Sequence, residues 1–419
     1  MPDYLLTPAR PHGELHAPPS KSAAHRALIC AALSGEPCRV SPVSRSADMD
    51  ATMGVLAAMG SRFTREQAAV VFSGAGWAAA PALLNCIESG STLRFLLPVA
   101  AALGIPATFT GEGRLPDRPI GVLAEQMKRH GVSFSSDRMP FTLSGRLTGG
   151  QYLLPGNVSS QFISGLLFAL PLLPEGGEIL LDSPLQSAGY VEMTLESLRG
   201  SGIRVEELQN GWRVPGGQAY SSGDRTVEAD WSNAAFWLCA GAIGGKIRLT
   251  GLSPHSVQGD RAILEIIRRF GGQVSQDADG VCTCAAPLHG CRVDAGPIPD
   301  LIPVVAVMAA FAHGETEIYN AARLRIKESD RLATVSALLR SLGGTVAEYP
   351  DRLVIQGGGL HSGTVDGAND HRIVMAAAVA GMFSDGPVTV TGVEAVGKSY
   401  PDFFADYQKL GGFYAPTGG

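Results

Sequence analysis

Long apolar runs, paired cysteines and nucleotide-binding glycine patterns are all missing from this 419-residue chain. The most apolar stretch, residues 301–312, is interrupted by Pro303 and is too short to span a bilayer, and residues 1–18 lack the apolar core of a signal peptide. A soluble protein is expected. Seven cysteines, an odd number scattered along the chain, read as reduced thiols of a cytoplasmic protein rather than a disulfide framework. Cys282, Cys284 and Cys291 invite a zinc reading, but the alternation Val281-Cys282-Thr283-Cys284 fits a strand with both thiols on one face. No P-loop, no dinucleotide glycine pattern after a first strand and no His-x-x-x-His helix occurs, so neither a nucleotide nor a metal is expected. Charge is scarce as well, at 17% of residues with a net −6, which argues against nucleic-acid or membrane-surface binding. In such a chain a cluster of cations is informative.

What is present is a repeat. Helix-like segments ending in glycine recur at 51–60, 119–131, 191–202, 261–271, 332–343 and 402–411, and the intervals between those glycines are 71, 71, 69, 72 and 68 residues. A glycine closing a helix and feeding a strand is the common C-terminal arrangement. A second, more apolar helix type recurs at 22–33, 91–103, 160–173, 232–243, 300–312 and 371–383. The pattern gives six copies of strand, helix, strand, helix and hairpin. A chain this long exceeds the roughly 250 to 300 residues that one core usually serves. The reading is therefore an α/β fold of two lobes, three repeats each: residues 19–230 as one lobe, and 1–18 with 231–419 as the other, joined by two short crossings.

Polar residues open the apolar helices, as unsatisfied N-terminal amides require, and capping alone would account for Ser22, Ser160 and Ser232. It does not account for Lys21, Arg26, Arg94 and Arg372, cations at or just inside apolar helices. Arg118, Lys327, Arg331 and Lys398 stand at the starts of the other helix type. Residues 323–331 are the densest case, with six charges in nine residues. A helix beginning at Glu328 would place Lys327 and Arg331 on one face of its first turn, where cations oppose the helix dipole unless an anion lies between them. With all six repeats oriented alike, these ends would converge on a cleft between the lobes, suited to ligands carrying several phosphates and carboxylates.

Seven stretches resemble the 5-enolpyruvylshikimate-3-phosphate synthase family, and their order covers essentially the whole chain. They are Pro19-Ser20-Lys21-Ser22-Ala23-Ala24-His25-Arg26, Glu88-Ser89-Gly90-Ser91-Thr92-Leu93-Arg94, Arg118-Pro119-Ile120, Ser159-Ser160-Gln161-Phe162, Lys327-Glu328-Ser329-Asp330-Arg331, Asn369-Asp370-His371-Arg372 and Lys398-Ser399-Tyr400-Pro401-Asp402. The resemblance implies a two-lobed inverse α/β barrel with helices inside and sheets outside. It implies transfer of the enolpyruvyl group of phosphoenolpyruvate to the 5-hydroxyl of shikimate 3-phosphate through a tetrahedral intermediate, by a monomer that needs no metal or organic cofactor. By matching motifs, Lys21, Ser22, Arg26, Ser159, Ser160, Gln161, Ser187, Tyr190, Asp300 and Lys327 look like shikimate-3-phosphate contacts. Lys21, Gly90, Arg118, Gln161, Arg331, Arg372 and Lys398 look like phosphoenolpyruvate contacts.

Asp300, Glu328 and Lys21 look like the catalytic groups of that family. Protonating the methylene carbon of an enol ether makes its neighbour electrophilic, so an acid must face that carbon while a base frees the attacking hydroxyl. Asp300 is assigned as the base and Glu328 as the acid, with Lys21 the other candidate donor, since Lys327 and Arg331 favour an ionised Glu328. Glu88 stands where the family often has Asn, and Ser91 where it has Thr, which leaves sensitivity to the phosphoenolpyruvate mimic glyphosate unassigned. UDP-N-acetylglucosamine enolpyruvyl transferases are less similar, having Asn where Ser22 stands and a Cys in the loop matching 111–119, which here has none. RNA 3′-phosphate cyclases would need nucleotide-binding features absent here, and a non-enzymatic binder of dianionic metabolites is the remaining reading. The divided cation sets imply closure of the lobes on shikimate 3-phosphate.

Overall fold

The structure, a computed structural model, describes residues 3–417. Twelve α-helices occur among them: α1 Lys21–Ser34, α2 Ala47–Ala58, α3 Gly90–Leu103, α4 Gly121–Arg129, α5 Ser160–Ala169, α6 Ala188–Arg199, α7 Trp231–Gly244, α8 Ile263–Arg269, α9 Ile302–Ala310, α10 Arg331–Ser341, α11 His371–Phe383 and α12 Phe403–Lys409. Odd and even members alternate as the two helix types of the repeat. The odd helices are almost wholly apolar and bury nearly every residue, whereas the even helices carry one charged face.

The described strands form six separate four-stranded sheets backed by helices, one per repeat and none closed into a barrel, as the reading of six α/β repeats requires. All six share one pattern. In the sheet of Ala82–Asn85, Ala107–Thr110, Phe141–Gly145 and Val132–Phe134, the first two strands are parallel, as a strand–helix–strand crossover demands, and the remaining pairs are antiparallel. Three sheets are completed by strands distant in sequence. Arg225–Thr226 lies parallel to Cys38–Ser41, His12–His16 lies parallel to Lys246–Thr250, and Tyr4–Thr7 lies between Val388–Thr391 and Phe413–Pro416. Strand 280–284 is as the alternation requires, with Cys282 and Cys284 half-exposed and Val281 and Thr283 buried.

The chain divides into two compact units, one of Lys21–Val227 and one of the described parts of residues 1–20 and 228–419. Each has its own apolar core. In the 21–227 unit, α1, α3 and α5 bring Leu28, Leu96, Phe95 and Phe168 together at 0–1% exposure. The other packs α7, α9 and α11 around Trp237, Val305 and Met375 at 0%. At about 25 cal/mol per Å² of apolar surface, each such large side chain contributes about 1.5–3 kcal/mol. No described helix is long and apolar enough to cross a membrane.

Within a repeat, the first-helix start and the second-helix start meet through residues 27 to 29 positions apart: Lys21 with Asp48, Trp231 with Gln258, Ser232 with Asp260, Asp300 with Lys327, and Asn369 with Lys398. The fold thus gathers the helix starts within these four repeats.

Candidate active site

The capping expectations shift by one or two residues. Side-chain caps come from Ser89, which accepts from the Thr92 N–H, Ser159 from Gln161, Asp230 from Asn233, Asp330 from Ala333 and Asp370 from Arg372. Ser22, Ser160 and Ser232 sit inside their helices, so their hydroxyls are not spent as caps. Asp300 is not a cap either, since α9 begins after Leu301 and has no side-chain cap. The helix expected from Glu328 begins at Arg331, because Asp330 caps it, and a 3-10 turn, Ala322–Ile326, ends at Lys327. Lys327 and Glu328 therefore lie on the loop ahead of α10, and the anion-binding helix face drawn from 323–331 does not form.

What forms instead is a knot of opposite charges. Arg331, 1% exposed, donates Nε to Asp370 Oδ2 at 2.9 Å, Nη1 to Asp300 Oδ1 at 2.8 Å and Nη2 to Glu328 Oε2 at 2.8 Å. Burial alone would lower its pKa. Asp370, Glu328 and Asp300 outweigh burial and raise it above the ordinary arginine value. Asp300 also accepts from Arg372 Nη2 at 3.2 Å and lies 3.5 Å from Lys327 Nζ. The main-chain carbonyl of Asp300 takes Arg372 Nη1 at 3.0 Å. Burial works to raise the pKa of Asp370, yet Arg331 and then His371 hold it below the usual carboxylate range. Lys327 is drawn down to about 8, by burial first, with Asp300 opposing and Arg331 assisting. Lys398 Nζ donates to the Asn369 carbonyl at 2.7 Å.

Within the 21–227 unit, Lys21 opens α1 and pairs with Asp48 at 2.7 Å. Arg26, 2% exposed, donates Nε to Thr194 Oγ1 at 2.8 Å, Nη1 to the Ser22 carbonyl and Nη2 to the Tyr190 carbonyl, both at 2.7 Å, and lies over the Phe95 ring. Burial pulls its pKa down to about 10. Gln161 links two helix starts, its Oε1 accepting from Arg94 Nη1 at 2.8 Å and its Nε2 donating to Ser91 Oγ at 2.9 Å. Arg118, mostly buried, follows the 3-10 turn Leu115–Asp117. The bare backbone of Gly90 lets two guanidinium groups come close: a Cβ on it would lie 2.7 Å from the Nη1 atoms of both Arg94 and Arg118, which would have to move aside. Ser159 and Ser160 stand at the start of α5, and Ser187 precedes α6 with a left-handed backbone, φ 56°.

The predicted residues thus form two sets. Lys327, Arg331 and Arg372 meet at Asp300, and Glu328 joins them through Arg331, with Lys398 on the start of the next repeat, while Lys21, Ser22, Arg26, Gly90, Arg118, Ser159, Ser160, Gln161, Ser187 and Tyr190 stand near helix starts of the 21–227 unit. Sequence reasoning missed Asp370, Asp48, Arg94 as a member of the set, and Asp260, which is 2% exposed, bonded to Ser232 and raised to about 6 by burial and by Asp300, with Arg372 pulling the other way. Aspartates heading helices were the available signal. Ile87, Ser187, Ala368 and Asn369 have positive φ, four of the five such non-glycine residues among those described, and each adjoins a motif. Strained backbone of this kind concentrates at functional sites. Among the described residues no group of three or more His, Cys, Asp or Glu is arranged to hold a metal ion.

Four of the six repeats carry buried arginines near their helix starts, Arg26, Arg94 and Arg118 in one unit and Arg331 and Arg372 in the other, the last two meeting at Asp300. Over residues 6–407 the chain matches the family model described as EPSP synthase (3-phosphoshikimate 1-carboxyvinyltransferase), and it belongs to that family. It is 39% identical over 412 residues to the 3-phosphoshikimate 1-carboxyvinyltransferase of Clostridium kluyveri, covering 97% of each chain. The protein of the same name from Methanocorpusculum labreanum is 39% identical over 407 residues, covering 95% of this chain and 96% of the relative. An EPSP synthase from Acinetobacter baumannii shares the fold with a TM-score of 0.84 at 24% identity, both chains fully covered. The enolpyruvyl transferase NikO from Streptomyces tendae gives 0.82 at 20%, covering 99% of each.

Proposed function

We propose that these cations and carboxylates hold phosphoenolpyruvate and shikimate 3-phosphate and carry the transfer between them. Family membership makes the chain a 3-phosphoshikimate 1-carboxyvinyltransferase. The enolpyruvyl group moves to the 5-hydroxyl of shikimate 3-phosphate and phosphate leaves. Asp300 is the base on that hydroxyl, and the observation supporting it is the meeting of its carboxylate with Lys327, Arg331 and Arg372 at 2.8–3.5 Å. These cations stabilise negative charge wherever it resides, so the arriving anions compete with Asp300 for them and restore its basicity. In the substrate pair, Arg26, Ser159, Ser160, Gln161, Ser187, Tyr190, Ser22 and Lys327 serve shikimate 3-phosphate. Gly90, Arg118, Arg331, Arg372 and Lys398 serve phosphoenolpyruvate, with Lys21 and Gln161 touching both. The enzyme works as a cytoplasmic monomer.

Glu328 donates the proton to the methylene carbon, a tetrahedral adduct forms, and the proton steps reverse as phosphate departs. The 2.8 Å bond from Arg331 to Glu328 favours Lys21 as an alternative donor, because a guanidinium holds its partner carboxylate ionised, and Glu328 must first take up a proton to act as the acid. Phosphate release that requires both substrates together is the expected result, and no release with that pair overturns the assignment. Asp300→Asn lowers kcat about 10²- to 10⁴-fold. Glu328→Gln blocks formation of the adduct in a rapid-quench experiment; adduct formed at the wild-type rate transfers the acid role to Lys21.

A further inference from the structure

A continuous chain of buried side chains joins α1, α2 and the start of α3. His25 Nδ1 lies 2.7 Å from Thr52 Oγ1, Thr52 Oγ1 lies 2.6 Å from Thr92 Oγ1, and Thr92 Oγ1 donates to Ser89 Oγ at 2.8 Å. Ser89 Oγ also accepts the Thr92 main-chain N–H at 3.2 Å, which is the cap of α3. All four residues are 0–1% exposed. None of the substrate contacts proposed above uses His25, Thr52 or Thr92.

The hydrogen count fixes the direction of the chain. A hydroxyl has one proton to give. Thr92 gives its proton to Ser89, so Thr52 must give its own to Thr92, and the Thr52 oxygen must then accept. Its donor is His25, which therefore carries its proton on Nδ1 and leaves Nε2 bare, and Nε2 is buried without a partner. A neutral ring agrees with the surroundings: burial first, then Lys21 and Arg26, push the His25 pKa well below the ordinary value. At the far end Ser89 accepts twice and keeps its own proton, next to Gly90 where the Arg94 and Arg118 guanidinium groups converge.

We infer that this chain, with its protons ordered from His25 to Ser89, positions the start of α3, Gly90 to Arg94, for phosphoenolpyruvate, with His25, Thr52 and Thr92 acting as positioning residues. The inference rests on the function proposed above. The loop ahead of α3 is held in two places: Ile87, at φ 50°, by its N–H donating to Asn85 Oδ1 at 2.9 Å and its carbonyl accepting from the Glu112 N–H at 2.7 Å, and Ser89 by the hydroxyl chain. Ser89 cannot drift while Thr92 grips it twice, and Thr92 is in turn held from α2 and α1. The arginine-flanked glycine is thereby tied to the same helix that carries Lys21.

Two measurements test it. In Thr52→Val, which keeps the shape and removes one hydroxyl, KM for phosphoenolpyruvate rises about tenfold while KM for shikimate 3-phosphate stays within about twofold, and Thr52→Ser restores the wild-type value. An unchanged KM for phosphoenolpyruvate, an equal rise in both, or a serine variant no better than valine overturns the inference. Nitrogen-15 NMR of the histidine ring in the wild-type protein reads the proton order without relying on turnover or on a variant that folds. Protonated Nδ1 with bare Nε2 supports the ordered chain, and the opposite tautomer overturns it. Wild-type protein that releases no phosphate from the substrate pair overturns the proposed function instead, leaving the NMR result to decide the chain.

Discussion

Arg26, in the second turn of α1, and Arg331, the first residue of α10, are both buried arginines, one in each unit, and they solve the cost of a buried cation in opposite ways. Arg331 is surrounded by three carboxylates, Asp300, Glu328 and Asp370, and its pKa is raised. Arg26 has a hydroxyl, two main-chain carbonyls and an aromatic face, no carboxylate, and a pKa drawn down to about 10. The first is an electrostatic keystone that stays satisfied with no ligand. The second is a positive charge held in reserve, whose best partner would be an arriving anion. One residue type is thus neutralised by carboxylates in one unit and solvated by neutral oxygens in the other.

The sharpest way to break this contrast is to remove each guanidinium and compare. Arg331→Met leaves three carboxylates facing one another with their central cation gone, and a broken buried pair costs about 3–5 kcal/mol. Melting temperature should fall by on the order of 10 °C for a unit of this size. In Arg26→Met the deserted acceptors remain satisfied, because the Tyr190 carbonyl also accepts from Thr194 Oγ1 and both carbonyls lie within helices. Stability should change by about 1 kcal/mol or less, while KM for shikimate 3-phosphate rises about 10- to 100-fold through loss of a charged hydrogen bond. Equal thermal destabilisation of the two variants would dissolve the distinction.

The same contrast marks how far the sequence could be read. Glycines at nearly constant intervals disclosed six repeats because a helix C-terminus leaves a local signature, and the boundaries of α3, α7 and α11 follow within a residue or two. Cations in apolar helices stood out because burial of charge is costly whatever the fold. Partners did not stand out. That Arg331 meets Asp300 and Asp370, 31 and 39 residues away, depends on how repeats stack, and no local pattern encodes it. The same holds for the two-residue strand Arg225–Thr226 and for the hydroxyl chain from His25, whose links span 27 and 40 residues. Expecting α10 to begin at Glu328 failed because helix propensity cannot decide which of Ser329 and Asp330 will cap, and that choice moved Lys327 and Glu328 onto a loop.

A subtler test concerns Lys327, the cation of the carboxylate-rich set whose own charge is precarious. Its folded pKa of about 8 lies below the lysine norm, with burial the largest cause. The sign follows directly. The folded chain sheds this proton before the unfolded chain does, so as pH rises from about 8 towards 10.5 the lysine contributes increasing stability while losing the charge that a substrate anion needs. Activity and stability should therefore part above pH 8. The kcat/KM for shikimate 3-phosphate reports the free enzyme and should fall about tenfold per pH unit there, whereas kcat should fall at higher pH because the bound anion holds the proton on. Lys327→Arg, charged throughout the range, should carry the kcat/KM limb beyond pH 9. A limb that stays near 8 in this variant would assign the titration to another group, and the carboxylate-rich set would then bind its anion through Arg331 and Arg372 alone.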